Sequence, residues 1–216
     1  MSISVFIADD HAVVCDGLRL LLEAQADITI VGVADDGRQA VNQVLKLHPD
    51  VVIMDIAMPE LNGIEATVQI RQACQSTQVV ILSMYATMEH IFRAIQAGAK
   101  GYVLKESVGT EVVAAVRAVS SGKSYLSKKI DNVMIYKYIK HRQVTEVKSP
   151  IESLSARERE VLQLVVEGKS SAEIAYILSL SPKTVETYRS RLMRKLNINE
   201  VPSLVKFAIQ HGLTPQ

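Results

Sequence analysis

The feature of this sequence that most constrains its fold is the alternation, in its first half, of short apolar runs with longer stretches of helical length. All four residues of the run Val51-Val52-Ile53-Met54 are apolar, a pattern typical of a strand that is buried on both faces. Repeated strand–helix units favour right-handed crossovers and a parallel sheet covered by helices. We therefore predict an α/β domain with five strands, at Ile3–Ala8, Ile28–Val33, Val51–Asp55, Val79–Ser83 and Gly101–Leu104. The helices between and after them are predicted at Ala12–Ala24, Arg38–Leu47, Ile64–Ala73, Met88–Ala97 and Glu111–Ser120.

From Leu154 onward the pattern is helical throughout. A capping residue followed by an apolar stripe marks the start of a helix, and proline is favoured in the first helical turn. Three starts of this kind are present, at Ser155 with Glu158, at Ser170 with Glu173, and at Ser181 with Pro182. A fourth helix is expected from about Pro202 to Gln210, before Gly212. The second domain is therefore predicted to be an all-α domain of four helices.

The charge divides the chain in the same way. Residues 1–125 hold 14 acidic and 9 basic side chains, whereas residues 126–149 hold 2 acidic and 6 basic ones. An acidic domain suits a bound cation, and a basic region suits phosphates. We predict a first domain at 1–122, a linker at 123–149 with a helix over Lys128–Lys140, and a second domain at 150–216.

Composition excludes several other classes of protein. Apolar residues make up 48% of the chain, which is ample for packed cores. Cys15 and Cys74 have neither the spacing of a zinc module nor the number for a disulfide framework. The N-terminus lacks the pattern of a signal peptide, and no run of 18 apolar residues occurs. We therefore expect a cytoplasmic protein that has no membrane partner.

Polar side chains follow four of the predicted strands. Asp9 and Asp10 follow the first strand, Asp55 ends the third, Ser83 ends the fourth, and Lys105 follows the fifth. Because ligands bind at the carboxyl ends of parallel strands, we expect these side chains to converge there. Neighbouring carboxylates repel one another unless a cation joins them, and oxygen ligands suit Mg²⁺. A carboxylate beside Mg²⁺ can attack a phosphoryl group. Taken alone, each of these carboxylates is more often a helix N-cap or a solvated side chain, and Lys105 alone is usually a surface lysine; it is their joint placement at four strand ends that favours a site.

Further motifs lie at the same strand ends, namely Met54-Asp55-Ile56-Ala57-Met58-Pro59, Asn62-Gly63 and Gly101-Tyr102-Val103-Leu104-Lys105. With the acidic pair and Ser83, they resemble the receiver domain of two-component response regulators over roughly residues 1–122. The resemblance implies a doubly wound, flavodoxin-like sheet of order 2-1-3-4-5. It further implies that Asp55 accepts phosphate from a sensor histidine kinase. Mg²⁺ would be bound by Asp10, Asp55 and the Ala57 carbonyl, with Asp9 nearby.

The resemblance also assigns a switch role to Ser83 and Tyr102. Ser83 would turn toward the phosphoryl group, and Tyr102 would swing into the space that Ser83 leaves. The residues alone favour a different interpretation of Tyr102, as an ordinary half-buried strand aromatic. Glu106 stands where many receivers carry proline, so the usual argument from a cis-proline does not apply to the loop after Lys105.

The third helix of the second domain, Pro182–Leu196, has an apolar stripe and a polar, basic face. At about 100° per residue the stripe contains Val185, Tyr188, Leu192 and Leu196. The opposite face contains Lys183, Thr187, Ser190 and Arg194, flanked by Arg191. A short turn joins this helix to Ala172–Leu178, which is typical of a helix-turn-helix whose second helix enters the major groove. The basic face alone is equally consistent with a solvated surface.

The motifs that decide between these interpretations are Leu154-Ser155-Ala156-Arg157-Glu158-Arg159-Glu160-Val161-Leu162, Glu173-Ile174-Ala175, Thr184-Val185-Glu186-Thr187-Tyr188-Arg189 and Lys195-Leu196. They resemble the LuxR-type DNA-binding domain, which together with a receiver marks the NarL/FixJ class of response regulators. The resemblance implies base-facing positions at Glu186, Thr187 and Ser190. Backbone contacts are implied for Lys183, Arg189, Arg191 and Lys195, and Thr184 and Arg194 are further candidates.

Two positions in this domain have alternative interpretations. Glu186 either accepts a hydrogen bond from a cytosine amine or pairs with a nearby arginine. The last helix has an apolar stripe, part of which closes the core, and by resemblance its exposed part pairs two DNA-binding domains. The dimerisation candidates are Leu204, Val205, Ala208 and Ile209.

These expectations describe a transcription factor controlled by phosphorylation. Its expected partners are a sensor histidine kinase, double-stranded promoter DNA, a second copy of the chain when phosphorylated or DNA-bound, and RNA polymerase as a further candidate. It is not expected to be an enzyme beyond slow self-catalysed phosphorylation and dephosphorylation. A Mg²⁺-dependent phosphohydrolase is disfavoured because Ala57 stands where those enzymes carry a second Asp. A dinucleotide- or flavin-binding module is disfavoured because no G-x-G-x-x-G motif follows any of the predicted strands. A regulator that works independently of phosphate is disfavoured because every residue of the receiver motifs is present.

Overall fold

The computed structural model describes residues 2–130 and 149–214. Contacts divide the chain at residue 141 into two compact units. The predicted helix at Lys128–Lys140 lies almost entirely outside the described residues. In the part of the chain that is described, no helix has both the length and the apolar character needed to cross a bilayer.

The first unit is built on a parallel sheet whose strand order is β2-β1-β3-β4-β5-β6. The strands are β1 (Ile3–Ala8), β2 (Ile28–Ala34), β3 (Val51–Asp55), β4 (Gln78–Ser83), β5 (Gly101–Leu104) and β6 (Tyr125–Leu126). The helices are α1 (Ala12–Glu23), α2 (Gly37–Leu47), α3 (Gly63–Ala73), α4 (Met88–Gln96) and α5 (Val108–Ser120). The α/β class and the order 2-1-3-4-5 of the first five strands are confirmed.

Helices cover both faces of this sheet. All five residues of β3 are buried, and alternate residues face opposite sides because the side chains of a strand have a period of two. Val52 and Met54 contribute to the core under α2, α3 and α4, while Val51 and Ile53 contribute to the core under α1 and α5. The uniformly apolar runs of the sequence are therefore explained by burial on two sides.

The predicted number of strands is wrong by one. β6 pairs with β5, with Tyr125 opposite Gly101 and Leu126 opposite Tyr102. The amide of Ser127 donates to the Tyr102 carbonyl at 2.8 Å, and the chain then buries Ile130 in the core. A strand of two residues is too short to show an alternating pattern, so the sequence gives no signal for it. The described fold of the first unit thus continues past residue 122.

The second unit contains four helices, which confirms the predicted all-α architecture. They are α6 (Ala156–Val166), α7 (Ser171–Leu178), α8 (Pro182–Leu196) and α9 (Val201–Gln210), preceded by a 3₁₀ turn at Pro150–Ser153. The predicted caps are present, because the side chains of Ser155, Ser170 and Ser181 accept hydrogen bonds from amides three residues later. One apolar core, which includes Ile174 and Leu192, joins the four helices.

Candidate functional site

The carboxyl edge of the sheet brings together side chains from three strand ends. Asp9 follows β1, Asp55 ends β3 and Lys105 follows β5. The Lys105 ammonium nitrogen lies 2.8 Å from Oδ2 of Asp55 and 2.8 Å from Oδ2 of Asp9. Asp55 and Asp9 are almost fully buried. One lysine therefore bridges two buried carboxylates at the place that the strand-end pattern predicts.

Asp10 and His11 complete the acidic pocket. Nδ1 of His11 lies 2.8 Å from Oδ1 of Asp10 and 3.1 Å from Oδ1 of Asp9. Ligand atoms of Asp9, Asp10, His11 and Asp55 all lie within 4.8 Å of one another. Three of these four groups are carboxylates, a donor set that fits a hard cation such as Mg²⁺. Ala57 occupies the bend after β3 and is half-buried.

His11 is a pocket residue that the sequence analysis missed. Its backbone amide and its ring both contact the Asp9 carboxylate. The available signal was its position directly after two aspartates at a strand end, since a residue there stays close to the carboxylates that precede it.

Burial and charge together control the chemistry of Asp55. Its Oδ1 accepts a hydrogen bond from the Ile56 amide at 2.7 Å. Burial, and after it the negative charge of Asp9, raise the pKa of Asp55 to about 6, although Lys105 partly opposes this. Burial lowers the pKa of Lys105, but the Asp55 and Asp9 carboxylates outweigh this, and the pKa lies above its ordinary value. Lys105 is therefore a fixed positive charge beside a carboxylate that is ionised at neutral pH.

Two residues of the Asn62-Gly63 motif fix how α3 starts beside Asp55. The buried Asn62 side chain accepts hydrogen bonds from the amides of Ile64 and Glu65, both at 3.1 Å, and so caps α3. A Cβ atom added at Gly63 would lie only 1.8 Å from the Asp55 carbonyl oxygen. Only glycine allows the helix start to approach the end of β3 so closely.

Ser83 and Tyr102 both bind the backbone of Tyr85. The buried Ser83 hydroxyl accepts a hydrogen bond from the Tyr85 amide at 3.0 Å. The Tyr102 hydroxyl donates to the Tyr85 carbonyl at 2.6 Å. Tyr102 is fully buried and not half-buried, and burial is the main reason why its pKa is raised. The two proposed switch residues thus share one backbone partner.

The loop after Lys105 is a regular turn. Lys105–Ser107 form one turn of 3₁₀ helix that leads directly into α5. Among the described residues no peptide bond is cis. Glu106, at the position where many receivers carry proline, lies 3.0 Å from the Lys129 ammonium group.

In the second unit, α8 presents the predicted polar face to solvent. Val185 and Leu192 are buried in the core, on the opposite side of the helix. The exposed members of the predicted DNA-contacting set are Lys183, Glu186, Thr187, Ser190, Arg191, Arg194 and Lys195, and the half-buried ones are Thr184 and Arg189. The exposed face combines small polar groups with basic ones, as a major-groove helix requires.

Glu186 and Lys195, both members of that set, have partners on other helices of the unit. Glu186 contacts the Ser171 hydroxyl and lies 3.7 Å from Arg189, so the pairing with an arginine is present. The Lys195 ammonium group lies 2.6 Å from the Glu158 carboxylate and donates to the Ser153 carbonyl at 3.2 Å. Lys195 therefore ties α8 to the start of α6.

The dimerisation candidates on α9 fall into two groups. Leu204 and Ala208 are buried in the core of the unit. Val205 and Ile209 are only half-buried. The second pair thus offers the more accessible apolar surface.

Comparison with protein families distinguishes between the alternatives. Residues 5–117 match the response regulator receiver domain, and residues 152–208 match the bacterial regulatory proteins of the luxR family. The chain is a DNA-binding response regulator. It belongs to the two-component systems, and receiver domains in general bind Mg²⁺ in an acidic pocket such as the one present here.

Individual relatives of this response regulator match over nearly its whole length. The oxygen regulatory protein NreC of Staphylococcus epidermidis is 38% identical over 213 residues, which are 97% of this chain and 98% of that protein. A structure of RcsB from Salmonella typhimurium, described for its conformational dynamism in DNA interaction, has a TM-score of 0.65 and 26% identity, and covers 97% of this chain and 98% of its own. A structure of two RcsB dimers bound to two parallel DNAs has a TM-score of 0.58 and 27% identity, over 98% and 99% of the chains.

Proposed function

We propose that Asp55 is the phosphoacceptor of this response regulator and that its phosphorylation controls promoter binding by the second unit. The observation that carries the proposal is the position of the Asp55 carboxylate, at the end of β3, between a bridging lysine and further carboxylates. An anionic nucleophile whose pKa is about 6 is ionised at neutral pH and available for attack.

In the proposed reaction an Asp55 carboxylate oxygen attacks the phosphorus of a phosphohistidine on a sensor kinase. A phosphorus–oxygen bond forms in line as the phosphorus–nitrogen bond breaks, and the imidazole leaves. The Lys105 ammonium group, already beside Asp55, pairs with an oxygen of the arriving phosphoryl group. The Ser83 hydroxyl, from the neighbouring strand β4, donates to another one.

Asp10, Asp55, the Ala57 carbonyl and Asp9 are the groups proposed to hold Mg²⁺. When bound, the cation would balance the charge of the carboxylates and of the phosphoryl oxygens. His11 lies against both Asp9 and Asp10, so it restrains the orientation of these two carboxylates.

For the second unit we propose that α8 enters the major groove of double-stranded promoter DNA. Lys183, Arg191 and Arg194 carry exposed charge that suits phosphates, and Thr187 and Ser190 are short enough to reach base edges. RcsB binds DNA as a dimer in its structure, which supports a homodimer on paired half-sites, with Val205 and Ile209 toward the partner copy. Contact with RNA polymerase stays a prediction from the sequence.

One experiment tests the coupling of phosphorylation to DNA binding. The full chain is incubated with acetyl phosphate and Mg²⁺, and its covalent mass, its mass in solution and its binding to promoter fragments are measured. We expect the mass of one phosphoryl group, a shift to dimers and tighter DNA binding. Asp55→Asn should abolish all three, whereas Asp16→Asn, an exposed aspartate on α1, should not. A full response of Asp55→Asn would contradict the proposal, and rapid turnover of a separate small phosphate ester would indicate a phosphohydrolase.

A further inference from the structure

The backbone of Tyr85 anchors both residues of the proposed switch. Its amide donates to Ser83 Oγ at 3.0 Å, and its carbonyl accepts from the Tyr102 hydroxyl at 2.6 Å. A rotation of Ser83 that displaces its Oγ breaks the first bond, and a displacement of the Tyr102 hydroxyl breaks the second. The mobility of Tyr85 therefore limits both movements.

The side chain of Tyr85 is held from α4. Its ring is stacked on the imidazole of His90, with centroids 4.5 Å apart and planes only 7° from parallel. His90 is buried in the first turn of α4, and its Nδ1 lies 2.6 Å from the hydroxyl oxygen of Thr87, the N-cap residue of that helix. Stacked aromatic pairs of this kind stabilise the arrangement in which they form.

The phenol of Tyr85 lies within electrostatic range of the Asp55 carboxylate. Burial raises the pKa of Tyr85, and the negative charge of Asp55 raises it further.

We infer that Tyr85 and His90 form a positioning pair that holds the loop between β4 and α4 in the arrangement seen here and so sets the cost of the switch. The inference rests on the proposed function, because it is phosphorylation of Asp55 that draws Ser83 away from Tyr85. A contact that forms only in the present arrangement of the loop lowers the population of the arrangement in which Ser83 faces the phosphoryl group. The stack therefore opposes phosphorylation by the free energy with which it stabilises the present arrangement. Weakening the stack should therefore speed phosphorylation at Asp55.

The test is the initial rate of phosphorylation by acetyl phosphate and Mg²⁺, followed by intact mass, in variants of the full chain. His90→Ala removes the stack and should raise the rate about 2- to 10-fold, the range expected for an aromatic pair. His90→Phe keeps a ring at the same place and should return the rate to within twofold of the wild type. Tyr85→Phe keeps the ring and both backbone bonds and should also stay near the wild type. His48→Ala, at the exposed C-cap of α2, is the matched control: it removes an imidazole and its contact with the Cys74 thiol, but should leave the phosphorylation rate within twofold of the wild type.

The Phe rescue separates positioning from general loosening, because a variant that merely destabilises the unit is not rescued by a different ring. If His90→Ala does not fold, His90→Asn, which keeps a polar group toward Thr87 but removes the ring, takes its place with the same expected increase. The inference is overturned if the ringless variant is phosphorylated at a rate within twofold of the wild type. It is also overturned if His90→Phe is phosphorylated as fast as the ringless variant. If the wild type itself takes up no phosphoryl group, the proposed function fails as well.

Discussion

Replacing Asp55 by asparagine should stabilise the metal-free first unit at neutral pH. The pKa of Asp55 is raised from 3.8 to about 6, chiefly by burial, so the folded protein holds this proton more tightly than the unfolded chain does. The stability that the proton confers is fully present below the unfolded pKa near 4 and is lost as the pH rises through about 6. At neutral pH the ionised Asp55 therefore costs about 3 kcal/mol, at 1.36 kcal/mol per pKa unit. Asparagine keeps the shape without the charge.

The assay is urea unfolding of the wild type and Asp55→Asn in EDTA between pH 4 and 8. We expect the difference in unfolding free energy to be small near pH 4 and to grow to about 3 kcal/mol in favour of asparagine above pH 6.5. Mg²⁺ should narrow the gap, because a ligand that binds only the folded wild type stabilises it by mass action. A difference that is independent of pH, or one that favours the wild type at pH 7, would refute this account of the pocket.

Four further substitutions test other features. Arg191→Ala should weaken DNA binding and reduce the slope of log affinity against log salt by about one, and an unchanged slope would remove this residue from the phosphate contacts. Gly63→Ala, whose Cβ would lie 1.8 Å from the Asp55 carbonyl, should cost more than about 2 kcal/mol in urea unfolding. Gly17→Ala, with no atom within 4 Å of the added Cβ, should instead stabilise by up to about 1 kcal/mol, and equal effects of the two would contradict the packing. Glu158→Ala removes a capping-box carboxylate and its ion pair with Lys195. It should destabilise the second unit by about 1–2 kcal/mol in a thermal melt. An unchanged melting temperature would show that neither contact stabilises this unit.

The elements that could be predicted from the sequence are those with a local signal, either an apolar run or a capping motif. β3 shows a full apolar run because helices cover both of its faces, and α6 starts where its capping box predicts. The predicted start of the last receiver helix at Glu111 is three residues late, because a 3₁₀ turn leads directly into α5 and begins it at Val108. Glu111 is buried and accepts a hydrogen bond from the Ser127 hydroxyl, a role that its charge does not suggest.

In the site, the positions that could be predicted are those that follow from the order of the parallel strands alone. Parallel strands put Asp9, Asp55 and Lys105 at one edge whatever the loops do, and the structure brings these three together. The stacking of Tyr85 on His90 depends on the conformation of one loop, which no periodic pattern encodes.

Contacts between helices were not predictable either. The periodicity of α8 assigns its exposed face correctly, but it says nothing of the cross-helix partners Ser171 for Glu186 and Glu158 for Lys195. Such pairs depend on the packing of whole helices, which involves residues far apart in the sequence.

The short strand β6 matters for any work on the isolated first unit. A fragment that stops at residue 122 would strip the outer edge of β5, where Tyr125 and Ser127 donate to the carbonyls of Lys100 and Tyr102. A bare strand edge recruits another chain. Such a fragment would pair with itself through β5, and that artefact would mimic a signal-dependent dimer. A fragment carried through Ile130 keeps β5 paired with β6.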